Sequence, residues 1–369
     1  MIPAPDNSAN NVRNIVCVAH TAQVSGAENV LLRVVDEAVK SGYTVTVVCP
    51  VGQLSRKLPD GCCHRPIAPL GLSGQRGPAR WAAVARLAVR SAVVGRMLAG
   101  LVRQPNTVTI VNSLLALPAV RMARPPGGAT WLVHDFVTSR KQRMVARLGR
   151  PVVRRAVTMA QAPADPLRAA GFPVVVSACG VPWPVPSLAG PLHKPPVVGM
   201  LALLTPWKGQ EVLLDAVASV PGVEVEFAGG HFPGDEEYVA VLQERACRPD
   251  LVGRVRFLGH VDPQAAMRGW DVVISASTSP ECSPLSVLEA MSYEKPVIGT
   301  SHGGTAEFLA DGAGLLVPPG DSVALAAAIV RVIGNESLRR QLGVSGRERL
   351  RQHHDINRTL PELLQSLVG

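Results

Sequence analysis

Aromatic residues are scarce, at 4% of this 369-residue chain, and acidic residues are scarce in its first half. With so few rings, base stacking along a basic groove is excluded, so nucleic acid is not an expected partner. Valine, leucine and alanine must instead fill the cores, as in sheets covered on both faces by helices. Charged residues are 18% and hydrophobic ones 47%, which excludes a disordered chain. The seven cysteines, Cys17, Cys49, Cys62, Cys63, Cys179, Cys247 and Cys282, form no C-x-x-C pair. Neither a zinc site nor a disulfide framework is indicated. Most sit in apolar runs such as IVCVA and VTVVC, which suits a reducing cytoplasm. No uncharged apolar run reaches the roughly 18 residues a membrane-spanning helix needs. The longest candidate, Trp81 to Val102, is broken by Arg86, Arg90 and Arg96. The opening MIPAPDNSANN is polar, so no signal peptide is expected. The turn TAQVSGAEN lacks the G-x-G-x-x-G of a nicotinamide oxidoreductase.

What is present is uneven. Residues 1–190 hold 22 Lys/Arg and seven Asp/Glu, while the remainder holds 15 and 21. Such a split points to an anionic partner of the first half, unless it reflects arginine-rich composition alone. Residues 136–164 contain no acid and seven basic residues: Arg140, Lys141, Arg143, Arg147, Arg150, Arg154 and Arg155. Arg143, Arg147 and Arg150 are spaced to share a helix face. With Arg80, Arg86, Arg90 and Arg96 they predict a basic surface suited to peripheral contact with anionic lipid on the inner face of the membrane.

Strand-like and helix-like stretches alternate throughout. Asn14–Ala19, a helical pattern over Ala27–Lys40, and Tyr43–Cys49 make a β-α-β unit. Thr107–Val111, Thr130–Val133 and Val174–Ser177 extend the first half. Val197–Leu201, Val223–Ala228, Val255–Leu258, Val272–Ala276 and Pro296–Gly299 build the second. Six prolines fall within residues 182–196, which excludes helix and inner strand there. The expected plan is a domain over 1–184, a linker over 185–196, a second domain over 197–352 and a C-terminal helix over 353–369 that packs back on the first domain. The fold class is α/β, two Rossmann-like domains facing across a cleft.

The richest chemistry lies in residues 277–300, STSPECSPLSVLEAMSYEKPVIGT. Ser283 before Pro284 reads as a helix start, an N-cap followed by proline at the first helical position. Leu285, Leu288 and Met291 recur at helical spacing. The amides of such a helix start and its positive dipole end suit a diphosphate. Glu281 precedes the helix and Glu289 lies within it, an E-x7-E spacing. One acid is placed to accept hydrogen bonds from sugar hydroxyls, the other to grip a ribose diol. In TPWKGQEVLLDA, Lys208 stands at a loop–helix junction, where its ammonium would stabilise charge on a departing diphosphate.

These motifs resemble the GT-B retaining glycosyltransferases of glycosyltransferase family 4, over nearly the whole chain. SPECSPLSVLEAM is similar to the family's E-x7-E signature, TPWKGQEVLLDA to its phosphate-lysine segment, and GGTAEFLADGAGLLVPPGD to its closing signature. The resemblance implies that Glu281, Lys208 and His134, the last in WLVHDF, are catalytic. It implies that Gly26 of SGAENVLL, Ser283, Pro284, Leu285, Ser286 and Glu289 bind the donor, together with His260 and Val261 of FLGHV. It further implies a UDP or GDP sugar as donor, retention at the anomeric carbon, a cell-envelope or natural-product acceptor, and neither metal nor cofactor. No D-x-D motif is present, and Asp235-Glu236-Glu237 reads as an acidic helix start.

Two positions depart from the pattern. Leu203 stands where the family has an arginine that pairs with the lysine, and Ser25 replaces the second glycine of the opening motif. The loss of a charge-assisted contact costs about 1.5–3 kcal/mol of donor binding. The alternative expectation is therefore a non-catalytic protein that binds a nucleotide sugar or partner without turnover.

Overall fold

The computed structural model describes residues 12–71 and 78–369, without the side chains of 78–80. The polar opening segment and the side chain of Arg80 lie outside it. The chain divides into two compact units. The first comprises the chain up to Ala178 together with Leu360–Gly369, and the second Cys179–Thr359.

In the first unit the described elements are β1 (Asn14–Val18), α1 (Gly26–Lys40), β2 (Thr44–Cys49), α2 (Gln53–Arg56), β3 (Cys63–Pro66), α3 (Pro78–Val102) and β4 (Thr107–Val111). There follow α4 (Leu117–Ala123), β5 (Ala129–Leu132), α5 (Arg140–Gly149), β6 (Val153–Thr158), α6 (Ala164–Ala169) and β7 (Val174–Val176). The strands form one sheet in the order β3-β2-β1-β4-β5-β6-β7, every pair parallel. Parallel pairing forces each connection to cross a face of the sheet, so both faces are covered and the central strands become apolar. Accordingly Ile15–Val18 are all buried, and Trp131, Leu117 and Leu98 pack fully inside.

The second unit repeats the plan with β8 (Val197–Leu201), α7 (Gln210–Ala218), β9 (Glu224–Ala228), α8 (Glu236–Ala246), β10 (Val255–Gly259), α9 (Pro263–Arg268) and β11 (Val272–Ser275). It continues with α10 (Leu285–Ser292), β12 (Val297–Thr300), α11 (Gly303–Phe308), β13 (Leu315–Val317), α12 (Ser322–Ile333) and α13 (Glu336–His353), and the last helix, α14 (Ile356–Val368), begins in this unit and belongs to the first from Leu360 onward. Its sheet order is β10-β9-β8-β11-β12-β13, again wholly parallel. In both sheets the order reverses beside the first strand, and open α/β sheets bind ligands beyond the carboxyl ends of the strands at that reversal. The fold class is thus two Rossmann-like α/β units. Residues 182–196 carry no helix or strand, as their prolines require.

Two local expectations change. The helix of the E-x7-E segment starts one residue later than predicted: Pro284 is extended (ψ 97°) and occupies the cap position, so Leu285 is the first helical residue. Arg150 does not continue the α5 face, because Pro151 ends that helix. The Arg150 guanidinium instead donates to Gly171 O at 2.8 Å and lies over the Phe172 ring. No helix among the described residues is long and apolar enough to cross a membrane.

Candidate functional site

Lys208 is placed by a short turn of 3-10 helix, Pro206–Lys208, between β8 and α7. Gly209 then takes a left-handed conformation (φ +79°), and a Cβ there would lie 2.0 Å from Ala276 O. Only glycine lets the turn approach the loop that follows β11. The Thr278 amide closes this contact by donating to Trp207 O at 2.9 Å. Behind the turn, buried Gln210 donates to Leu203 O at 2.9 Å and accepts from Tyr238 at 3.2 Å. Leu203, where a paired arginine is usual, thus contributes its carbonyl to bracing the loop.

The Lys208 ammonium forms an ion pair with Glu281 Oε2, the two side chains being 14% and 10% exposed. It also lies 4.3 Å from the centre of the Trp207 ring. The other Glu281 oxygen accepts from the hydroxyl of buried Ser277. The Glu281 backbone is clamped as well: its carbonyl accepts from Gly304 N at 2.7 Å, and Cβ atoms at Gly303 and Gly304 would meet Glu281 O at 2.6 Å and Cys282 O at 2.4 Å. The Gly-Gly pair of the closing signature therefore fixes the loop that carries the acid. A cation and an anion so confined balance one another, and either can turn to a ligand of opposite charge.

Immediately after Glu281 the chain enters α10. Pro284 has no side chain that caps the helix, and the first-turn amides of an α-helix, here those of Leu285 and Ser286, point outward where an anion suits them. Val287, Leu288, Ala290 and Met291 bury the opposite face, while Leu285, Ser286 and Glu289 are half-buried. Ser283 directly precedes the cap residue Pro284. The structure therefore unites Lys208, Glu281 and the α10 start within the second unit. His260 and Val261 follow β10, at the sheet edge two strands from β8, apart from the Lys208–Glu281 pair.

His134 and Gly26 belong to the first unit. Gly26 opens α1, and a Cβ there would meet nothing within 4 Å, so the protein itself does not require glycine. Glu28, two residues on, is buried and accepts from Ser25 N at 3.1 Å and Ser25 Oγ at 2.5 Å, neutralising the helix start. His134 follows β5, and its Nε2 lies 2.9 Å from Asn112 Oδ1. Loss of solvent around the ring pushes its pKa down to about 3, so it is uncharged at neutral pH. Ser277, Trp207 and Asn112 were not signalled by the sequence. Their roles come from loop contacts, which leave no period or motif.

Residues 189–349 match the family model Glycosyl transferases group 1. Over 156 residues the chain is 37% identical to the phosphatidyl-myo-inositol mannosyltransferase of Mycobacterium leprae, covering 40% of this chain and 40% of that protein. It is 33% identical over 156 residues to the lipopolysaccharide core biosynthesis glycosyltransferase LpsE of Rhizobium meliloti, covering 42% and 44%. These sequence matches thus span about two fifths of each relative. The solved structure of Anabaena HepE in complex with UDP and glucose superposes with a TM-score of 0.81 at 22% identity, over 96% of this chain and 99% of that one. Sucrose-phosphate synthase from Thermosynechococcus elongatus superposes with a TM-score of 0.77 at 20% identity, over 96% and 98%.

Proposed function

We propose that this protein, which has the fold of GT-B glycosyltransferases and carries a group 1 glycosyltransferase domain in its second unit, moves a hexose from a nucleotide diphosphate donor to a hydroxyl acceptor. The observation that carries the reading is the Lys208–Glu281 pair at the loop that leads into the start of α10. On donor binding Lys208 and the Leu285 and Ser286 amides take the diphosphate, and Glu281, released from its ion pair, receives hydroxyls of the sugar. Glu289 holds the ribose diol, and His260 and Val261 meet the base, UDP or GDP. As the bond to the anomeric carbon breaks, negative charge grows on the leaving diphosphate, where Lys208 and the helix dipole stabilise it. The acceptor hydroxyl attacks from the same face, its proton passes to the departing phosphate oxygen, and configuration is retained without a metal or a cofactor.

The acceptor belongs to the first unit in this reading. M. leprae mannosyltransferase and R. meliloti LpsE bear names that place their acceptors in lipid and lipopolysaccharide, which favours a cell-envelope acceptor here. A surface groove is lined by Arg140, Arg143, Met144, Arg147 and Leu148, with Met144 and Leu148 exposed. Exposed apolar side chains among arginines suit the interface of an anionic bilayer. The protein would then work peripherally on the cytoplasmic face. Co-sedimentation with phosphatidylglycerol vesicles should be strong at low salt, lost at high salt and reduced in Arg140→Glu/Arg147→Glu. Absence of binding at low salt removes the membrane contact.

A panel of UDP-, GDP- and ADP-hexoses assayed for nucleoside diphosphate release tests the reaction. Release with one donor, reduced at least roughly hundredfold in Glu281→Ala, supports transfer. Leu203 favours a second reading, donor binding without turnover. Tight binding with no release over a broad acceptor panel would establish that reading instead.

A further inference from the structure

The amino ends of the second sheet border a cavity that the donor chemistry does not use. Its lining comes from residues 188–193, the end of α9, the turns before β11 and β12, and the start of α13, all within the second unit. Lys208 and Glu281 follow β8 and β11 at the opposite, carboxyl ends. β8 has five residues and β11 four, so about 13–17 Å of strand separates the two places. The cavity measures about 690 Å³, within the roughly 300–1,000 Å³ that holds a whole small molecule. One wall is the proline-rich segment, whose Leu188 amide donates to Tyr293 O at 2.8 Å.

The charges on this lining do not balance. Asp271 is buried and already spent on the proline-rich segment: its Oδ1 accepts from His193 N at 3.1 Å and His193 Nδ1 at 3.0 Å, and its Oδ2 accepts from Val197 N at 2.8 Å. Glu336 pairs with Arg340 at 3.3 Å, both side chains exposed. Arg268, Lys295 and Arg339 also line the cavity, and among the described residues none of them forms an ion pair. Lys295 is 5% exposed, and its ammonium donates to Trp270 O at 2.7 Å. Arg339 Nη1 donates to Val332 O at 3.1 Å and to Ile333 O at 3.0 Å. Burial pulls the Lys295 pKa from 10.5 down to about 8, with Asp271 opposing the shift, so the ammonium stays mostly charged at neutral pH. A buried ammonium needs partners to replace its lost hydration, and it has three N–H donors to satisfy. One backbone carbonyl does not meet that need.

We propose that this cavity is a second ligand site, which takes the phosphate group of a small phosphorylated molecule through Arg268, Lys295 and Arg339. A phosphate monoester brings about two negative charges and three strong acceptor oxygens, which matches three cationic donors that lack a carboxylate. A carboxylate ligand would bring half that charge. Guanidinium and ammonium groups bind phosphate through charge-assisted hydrogen bonds, the strong class. The cavity is roomy enough for more than the phosphate, and Leu188, Pro191 and Leu192 give the remainder of the ligand an apolar wall. An occupant therefore fastens the proline-rich segment to the turns before β11 and β12. The site stands whether or not the second unit turns over a nucleotide sugar, because it shares no residue with the Lys208–Glu281 pair or the start of α10.

Calorimetric titration of the full chain with glucose 6-phosphate in one arm and orthophosphate in the other, at low salt and neutral pH, tests the proposal. Hydrogen exchange on the same mixtures locates the binding. At least one probe should bind, and the tighter arm tells a phosphate ester from free phosphate as the source. Arg268→Gln and Lys295→Met should each weaken that binding at least roughly tenfold. Arg268 is exposed, so its variant carries the test if Lys295→Met fails to fold. Lys208→Ala should bind the probe as the native chain does, which separates this site from the diphosphate site at α10. The bound probe should slow amide exchange in residues 188–193 and 336–340 and leave residues 203–210 unchanged. Failure of both probes to bind, an affinity indifferent to Arg268→Gln, or binding that is lost in Lys208→Ala with protection confined to 203–210 and 281–286 would overturn the proposal.

Discussion

Lys208 and Glu281 each hold a mostly buried charge that the other balances. Removing one partner strands the other, so Lys208→Ala and Glu281→Ala should each lower stability by about 1–3 kcal/mol. The double variant should cost clearly less than the sum, since it leaves no uncompensated ion. Thermal melts of the four proteins measure this, and strict additivity would show that the pair is not coupled. His354 gives a pH signature of a different origin. Its ring is buried edge-on to Phe308, with Nδ1 2.8 Å from Cys179 O. Burial lowers its pKa from 6.5 to about 4. The unfolded ring binds a proton near 6.5 and the folded ring resists until about 4, so its contribution is complete above pH 6.5 and is lost as pH falls towards 4. At about 1.4 kcal/mol per pH unit the loss is on the order of 3 kcal/mol. Denaturant unfolding at pH 7.5, 5.5 and 4.5 should show this decline, and His354→Gln should flatten it.

Among the elements, glycines separate what the fold needs from what a ligand needs. Gly209→Ala places a Cβ 2.0 Å from Ala276 O at φ +79°, and should destabilise by about 2–4 kcal/mol. Gly26→Ala meets no protein atom within 4 Å. It should leave the melting temperature unchanged while weakening donor binding, and calorimetric titration separates the two effects. The same elements show what could be read from the chain. β1, β2, β4, β8 and β11 are short apolar runs and were located to within about a residue. β6 was missed because Arg154 and Arg155 interrupt its pattern, and Arg155 donates to Ser366 O, a contact no window of sequence contains. β3 is a largely exposed edge strand and β13 spans only three residues. The E-x7-E and lysine segments were legible because strand, loop and helix follow one another locally. That Lys208 and Glu281 touch was not, since two separate crossovers bring them together.

For the whole molecule, charge and fold divide the labour. The first half carries the excess of basic residues and exposed Met144 and Leu148, while the second carries the acids and the Lys208–Glu281 pair. Electrostatic attraction to a membrane is screened over about 8 Å at physiological salt, so donor binding in the second unit should be far less salt-sensitive than vesicle binding. The account stands on a diphosphate site built around Lys208 and the start of α10. Calorimetric titration of the native chain and Lys208→Ala with UDP and GDP tests it most directly. One of the two nucleotides should bind the native chain and bind Lys208→Ala at least roughly tenfold more weakly. Failure of both nucleotides to bind, or equal affinity for the two proteins, would contradict it.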